Sequence, residues 1–411
     1  MSHHFPLRLG CLALALAGYA QAAPLSFKAA LDLAEQQAPS LAAQQARVEA
    51  ARAQQVGADA LPDPKLFVGV DNLPVTGADR WHIDRDFMTM RKVGLMQDVP
   101  NAAKRQARTD AAAAEVDLSE AQRRVERLKV RTATAQAWLA RYYLEQRLAL
   151  FCELDHENQL LADTVRAQLA GGRGQAADAV GPKQEATQLA DREDDLQRDL
   201  TKARAELRRW VGEDDILSGE PPMLAVDAAS YRAHLHEHPE LAIYASATQK
   251  AEADVREAKA ARHPDWGVEL SYAQRAPQFG DMVSVQFTFD LPIFGKTHQD
   301  PQIAARRQQV AQLDAERDAM EREHGAALED DLADYANLGR QWERAKTTAI
   351  PLAQQKVELK LADYRAGRVD LGEVLVARRE AIEQRLRLID LAQQRQTIAS
   401  KLYFSYGDGA Q

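Results

Sequence analysis

From Asn101 to Ala170 the chain runs for 70 residues without a glycine or a proline. These two residue types end helices most readily, one through backbone freedom and the other through its missing N–H. An unbroken helix of that length reaches ~105 Å at ~1.5 Å per residue, which no ordinary globular core can cover. Leu144, Leu148, Phe151 and Leu154, then Leu161 and Val165, recur at helical spacing. Leu375, Ile382 and Ile389 fall seven apart with Leu386 between them, the spacing of a coiled-coil seam. Many alanines let such helices approach closely. Aromatics make up only 6% of the 411 residues, in keeping with extended helix packing. The matching helix further on, about Gln302 to Ala366, contains Pro351, which is expected to kink or break it.

The chain reads as one unit written twice. Pro39 is echoed by Pro239, Pro62-Asp63 by Pro264-Asp265, Asp98-Val99-Pro100 by Asp290-Leu291-Pro292, and Leu169-x-x-Gly172 by Tyr364-x-x-Gly367. The offsets are 200, 202, 192 and 195 residues, and an acid follows each of the last two glycines after six positions, Asp178 and Glu373. A near-constant offset across four landmarks marks a duplication. The first unit is placed at 23–220, with a strand pair at about 65–98 and a long helical hairpin at 101–211. The second is placed at 221–411, with a strand pair at about 266–291 and a hairpin at 302–406.

Residues 1–22 read as a cleaved export signal: Arg8, an apolar stretch from Leu9 to Ala17, and the small-x-small site Ala20-Gln21-Ala22. Cys11 lies inside that stretch behind Arg8-Leu9-Gly10, a poor lipid-attachment signal, so no lipid anchor is expected. Cys152 is then alone, and a lone cysteine on an amphipathic helix is expected to be a small packed residue. No later apolar run reaches the ~18 residues of a spanning helix. With 52 Lys+Arg against 61 Asp+Glu, and a net charge of −9, a nucleic-acid-binding face is not expected.

The strand regions alternate with period two. Val283, Val285, Phe287, Phe289 and Leu291 interleave with Ser284, Gln286, Thr288 and Asp290. Val268, Leu270 and Tyr272 interleave with Glu269 and Ser271, and Leu66, Val68 and Val70 begin the first pair; Met88 to Asp98 alternates least clearly. Four short strands cannot close on themselves, and open edges are forbidden in lipid. Apolar-out, polar-in alternation suits a water-filled barrel completed by several chains. The fold class expected is therefore mainly α with a small β part: long antiparallel coiled-coil hairpins plus four strands per chain contributed to an oligomeric barrel.

The duplicated helix–hairpin–helix plan, the proline landmarks and the turn Tyr364-Arg365-Ala366-Gly367-Arg368-Val369-Asp370-Leu371 resemble the TolC-type outer-membrane efflux family over essentially the whole mature chain. The stretches Pro62-Asp63-Pro64-Lys65, Asp71-Asn72-Leu73-Pro74 and Arg85-Asp86-Phe87-Met88-Thr89-Met90 look like its heavy-metal cation branch. The resemblance implies a homotrimer with a twelve-stranded barrel in outer-membrane lipid and an α-barrel tunnel in the periplasm of a Gram-negative cell. It implies as partners a periplasmic adaptor and an inner-membrane pump of the RND type. Carried onto matching positions, it implies a closed tip in which Tyr364 is the gate tyrosine and Asp178 its acidic partner. Arg368 is the nearest basic candidate, and Glu373 repeats Asp178 in the second unit. Gly172, Arg365, Gly367, Asp370 and Leu371 are the expected adaptor contacts.

Two groups of soft or imidazole ligands stand out as metal candidates, His234-x-His236-x-His238 and His82 with Met88 and Met90. Residues two apart on a helix face different ways, which argues against the first, and lipid-facing or packed methionines account for the second. No cofactor is called for. Glycine-rich phosphate loops, nucleophile elbows and zincin motifs are missing from the sequence, so an enzyme is not expected. Other readings are a channel for drugs, small molecules or type I secretion, and a periplasmic coiled-coil adaptor or scaffold. The adaptor would need a β-rich module between its helices, and the scaffold would lack the strand pairs.

Overall fold

The computed structural model of the chain describes residues 24–172, 175–212 and 216–407, so the expected export signal lies outside the described residues. Helices α1 (Phe27–Gln37) and α2 (Pro39–Val56) lead into strands β1 (Lys65–Asp71) and β2 (Met90–Val99), then into α3 (Ala102–Ala170) and α4 (Gly181–Val211). The order then recurs. Short α5 (Ala228–Ala233) and α6 (Pro239–Ala260) precede β3 (Trp266–Gln274) and β4 (Met282–Phe289), followed by α7 (Gln299–Arg344), α8 (Ile350–Arg365) and α9 (Leu371–Tyr406).

The 69-residue α3 starts where Asn101, in an extended conformation, accepts the Lys104 amide with its side chain. It is the spine of the molecule: α2, α4, α6 and α9 all pack along it. The seam expected in α9 is present. Ile382 is buried with Leu150, Phe151, Leu154 and Leu189, and Leu386 and Ile389 lie against the same cluster. Ion pairs hold the register from outside, including Arg192–Glu383 at 2.9 Å and Lys356–Glu380 at 2.6 Å. Cys152, expected to be packed, is exposed; it sits on the side of α3 away from the seam residues Phe151 and Leu154.

Pro351 neither breaks the helix nor leaves it regular. Between α7 and α8 the chain makes a π-turn, Ala345–Ala349, and the Ile350 N–H reaches back five residues to Ala345 O. Proline cannot donate to the carbonyl four residues back and clashes with it in a regular helix. Widening the turn just before Pro351 moves that carbonyl aside, so the chain stays helical.

The four strands form one antiparallel sheet in the order β1-β2-β3-β4, with β2–β3 joining the two halves of the chain. The register aligns Leu66, Leu95, Leu270 and Val285 in one row and Val68, Val93, Tyr272 and Val283 in another. All eight are exposed and share one face. Lys92, Glu269, Ser271, Ser284 and Gln286 occupy the other face, where Lys92 pairs with Glu269 at 2.8 Å. Gly94 explains the weak alternation of β2. A Cβ there would lie 2.7 Å from Leu270 O and 2.8 Å from Ser271 Cβ, and the Phe67 ring covers the space instead. Among the described residues no helix is long and apolar enough to cross a membrane.

The largest core lies beside the middle of α3. Trp138 is fully buried, edge-on to Phe27 at 5.4 Å and stacked on Tyr142 at 5.3 Å, and its indole N–H donates to Leu25 O at 3.1 Å. Leu139, Leu207, Val211 and Phe404 complete the cluster, so this layer holds α1, α3, α4 and α9 together.

A second anchor ties helix to sheet. Just before β3, Asp265 accepts from the Asn101 backbone N–H at 2.8 Å, from Asn101 Nδ2 at 2.9 Å and from Lys104 Nζ at 2.8 Å. Burial works to raise the Asp265 pKa, but these donors outweigh it and hold the carboxyl below its usual value. The unfolded chain therefore takes up this proton at higher pH than the folded one. The stabilisation is complete above the unfolded pKa of about 4 and is lost as pH falls through the lower folded value. In thermal melts, the stability gap between wild type and Asp265→Asn is expected to be constant above about pH 5 and to shrink below about pH 4. A gap that does not change with pH would assign the anchor to geometry alone.

Candidate functional site

The two helical hairpins turn at the same end of the molecule. Gly172 and Gly367 both take left-handed backbone angles, φ +71° and +73°, which glycine adopts without strain. After the first turn a short 3₁₀ segment, Ala176–Ala179, presents Asp178, whose carboxylate accepts the Gln175 N–H at 3.0 Å. After the second turn Asp370 caps α9 by accepting the Glu373 N–H at 3.0 Å.

Among the described residues, a direct polar link joins the two hairpins at this end. Tyr364, in the last turn of α8, donates its hydroxyl to Asp178 at 3.4 Å, joining residues 186 positions apart. Its ring is buried with Leu161, Val165, Leu371 and Val374. Burial, and then the Asp178 carboxylate, push the Tyr364 pKa up, so the phenol stays protonated and remains a donor. A groove runs beside the link, lined by Gln168, Gln175, Asp178, Arg365, Asp370 and Glu373.

Arg368 does not join the link. Its guanidinium pairs with Asp363 at 2.9 Å, within its own turn, and is largely exposed. Glu373 pairs with Lys360 across the second hairpin. Of the expected contact residues, Gly172, Arg365, Gly367 and Asp370 are exposed. Leu371 is 2% exposed and packs inward, so it offers no surface to a partner; the sequence reading placed it wrongly because it directly follows an exposed cap.

The histidine run does not converge. His234 ends α5 and turns to Ser230 O, His236 is exposed beside Glu237, and only His238 is buried. Burial and the neighbouring His324 push the His238 pKa down to about 4, which keeps the ring neutral. In the β1–β2 loop, His82 bonds to Arg80 O, and the Met88 amide donates to Asp86. Among the described residues, the histidine and carboxylate side chains that do come together are His238, Glu240 and His324, their ligand atoms within 4.8 Å of one another. His238 was a candidate only with its sequence neighbours, because His324 lies 86 residues away on another helix.

The family model for outer membrane efflux proteins matches residues 30–213 and 231–408. The chain belongs to the outer membrane efflux protein family. Solved structures of the same shape include a membrane protein from Pseudomonas aeruginosa, with a TM-score of 0.80 at 19% identity over 93% of this chain and 92% of that one. CusC matches with a TM-score of 0.78 at 19% identity over 93% and 92%. The outer membrane protein VceC of Vibrio cholerae matches with 0.74 at 17% identity over 93% and 96%. No curated protein sequence matches significantly. As an outer membrane efflux protein, the chain has its long helices and its four-stranded sheet in the arrangement these channel structures share, and its family is one of channels rather than enzymes.

Proposed function

We propose that this chain is the outer-membrane conduit of a tripartite efflux system, passively conducting metal cations delivered by an RND-type pump through a periplasmic adaptor. The observation that carries the reading is the sheet: rows of apolar side chains are exposed on one face across all four strands, and among the described residues β1 and β4 each pair with one strand. Three copies would give twelve strands and close the wall, because lipid tolerates no open edge. The cation cargo rests on the likeness of the 62–90 stretch to the heavy-metal branch. An export signal at 1–22 accompanies this reading.

Tyr364 and Asp178 form the latch of the closed tip. Glu373, repeated three times, rings the mouth as an ion pair with Lys360. Arg365, Gly367 and Asp370 line the groove in which the adaptor docks, and the exposed Gly172 of the first turn completes its contact surface. A latch of this kind must yield to a partner, and a long, part-buried polar link of modest strength suits that.

Growth of a strain lacking the gene, on Cu, Zn, Co, Cd and Ni salts and on lipophilic drugs, tests the reading. Sensitivity to metals alone, restored by the intact gene, is the expected result. Sensitivity to drugs with normal metal tolerance would keep the conduit and remove the cation cargo. Recovery of the protein as a soluble periplasmic monomer would overturn the conduit.

A further inference from the structure

Away from the tip and the sheet, the start of α6 meets the middle of α7 and the end of α9. His238 caps α6, its Nδ1 accepting the Glu240 N–H at 3.2 Å. Its ring lies against that of His324 with centroids 3.9 Å apart, and His324 Nε2 lies 2.9 Å from Glu240 Oε2. The Tyr406 ring closes one side, 5.3 Å from His238 and 6.4 Å from His324. One ligand atom from each of His238, Glu240 and His324 falls within 4.8 Å of the other two. His238 is 5% exposed.

We propose that His238, Glu240 and His324 form a binding site for one divalent transition-metal ion, with Zn²⁺ as its representative. Two imidazoles and a carboxylate suit Zn²⁺, Co²⁺, Ni²⁺ and Cu²⁺, while Ca²⁺ and Mg²⁺ require oxygen-rich shells. Three protein ligands leave one position for water, and the Glu240 side chain, 41% exposed, gives the ion a way in.

The proton balance is definite. The proton between His324 Nε2 and Glu240 moves to His324 Nδ1 when the ring is neutral, and to solvent when it is an imidazolium. His238 cannot cap α6 and hold the ion together. Nδ1 is the capping atom, and ligation through Nε2 shifts the ring proton onto Nδ1, which then no longer accepts. Binding therefore exchanges a helix cap for a metal bond and pins α6 to α7 beside the end of α9. The site is independent of the channel's cargo: its ligands are held between packed helices, and it stands or falls separately from the cation reading.

The test uses the intact, tag-free protein in detergent, stripped with chelator and titrated with ZnCl₂ by calorimetry and thermal unfolding. One Zn²⁺ per chain is expected, with the unfolding midpoint rising by about 3 °C or more at saturation. His324→Gln and Glu240→Gln are each expected to weaken binding at least ~10-fold. His238→Asn separates the two roles of the ring, because asparagine caps helices well but supplies no imidazole. It should keep the zinc-free midpoint and lose the zinc-induced rise. Should that variant fold poorly, visible absorption of Co²⁺ bound to wild type and to His324→Gln decides instead, since ligation by imidazole gives ligand-field bands that the variant would lose. Wild-type affinity in all three variants, or no stoichiometric binding by wild type, would overturn the site.

Discussion

Tyr364→Phe channels in planar bilayers are expected to show a resting conductance well above that of wild type, and Asp178→Asn channels should do the same. The substitution keeps the ring in its pocket among Leu161, Val165, Leu371 and Val374 and removes only the hydroxyl that reaches Asp178 at 3.4 Å. A hydrogen bond of this kind contributes about 1 kcal/mol net. In the proposed trimer, three such bonds would contribute about 3 kcal/mol, roughly a hundredfold in the ratio of open to closed tips. Arg368→Ala serves as the control. Its guanidinium is committed to Asp363 on the same turn, so resting conductance should stay at the wild-type level. Unchanged conductance in both Tyr364→Phe and Asp178→Asn would remove the latch from the mechanism.

The second large effect belongs to the core beside α3. Trp138→Ala should cost about 3–5 kcal/mol, the range for emptying a large aromatic site. It removes both ring contacts to Phe27 and Tyr142 and leaves Leu25 O without its indole donor. The loss falls first on α1, which is held there through Phe27, Leu31 and Ala34. Limited proteolysis should therefore cut near residues 24–37 well before the long helices yield. Trp138→Phe keeps most of the volume and should sit between the two. Equal protection of wild type and Trp138→Ala would show that α1 is held by other means.

How much of this was legible in the sequence depends on the range of the physics involved. The long helices follow from local rules, since the stretch from Asn101 to Ala170 offers no residue that stops a helix. The strand faces follow from period-two alternation in β3 and β4, and β2 obscured it because Gly94 answers to the crowding of Phe67 and Ser271 rather than to its own face. Tyr364 and Asp178 were paired through family likeness; no spacing rule joins residues 186 apart. The misplacements have the same origin. Pro351 was treated as a fault in a regular ladder, although the ladder shifts by one residue ahead of it. Leu371 was placed on the surface because the chain around it is exposed, and His238 was grouped with its sequence neighbours when its partner lies on α7.

The π-turn between α7 and α8 also acts as a clutch. One residue added to a helix rotates everything beyond it by ~100° about the axis. The Tyr364 hydroxyl therefore points at Asp178 because of a phase set 15 to 19 residues earlier, at Ala345–Ala349. A chain shortened by one residue there would regain a smoother helix, keep every side chain of the tip, and aim the tyrosine more than a quarter-turn away from its acid. The aim of the tip is thus decided by a counting irregularity far from it, in a stretch that touches neither the groove nor the turns.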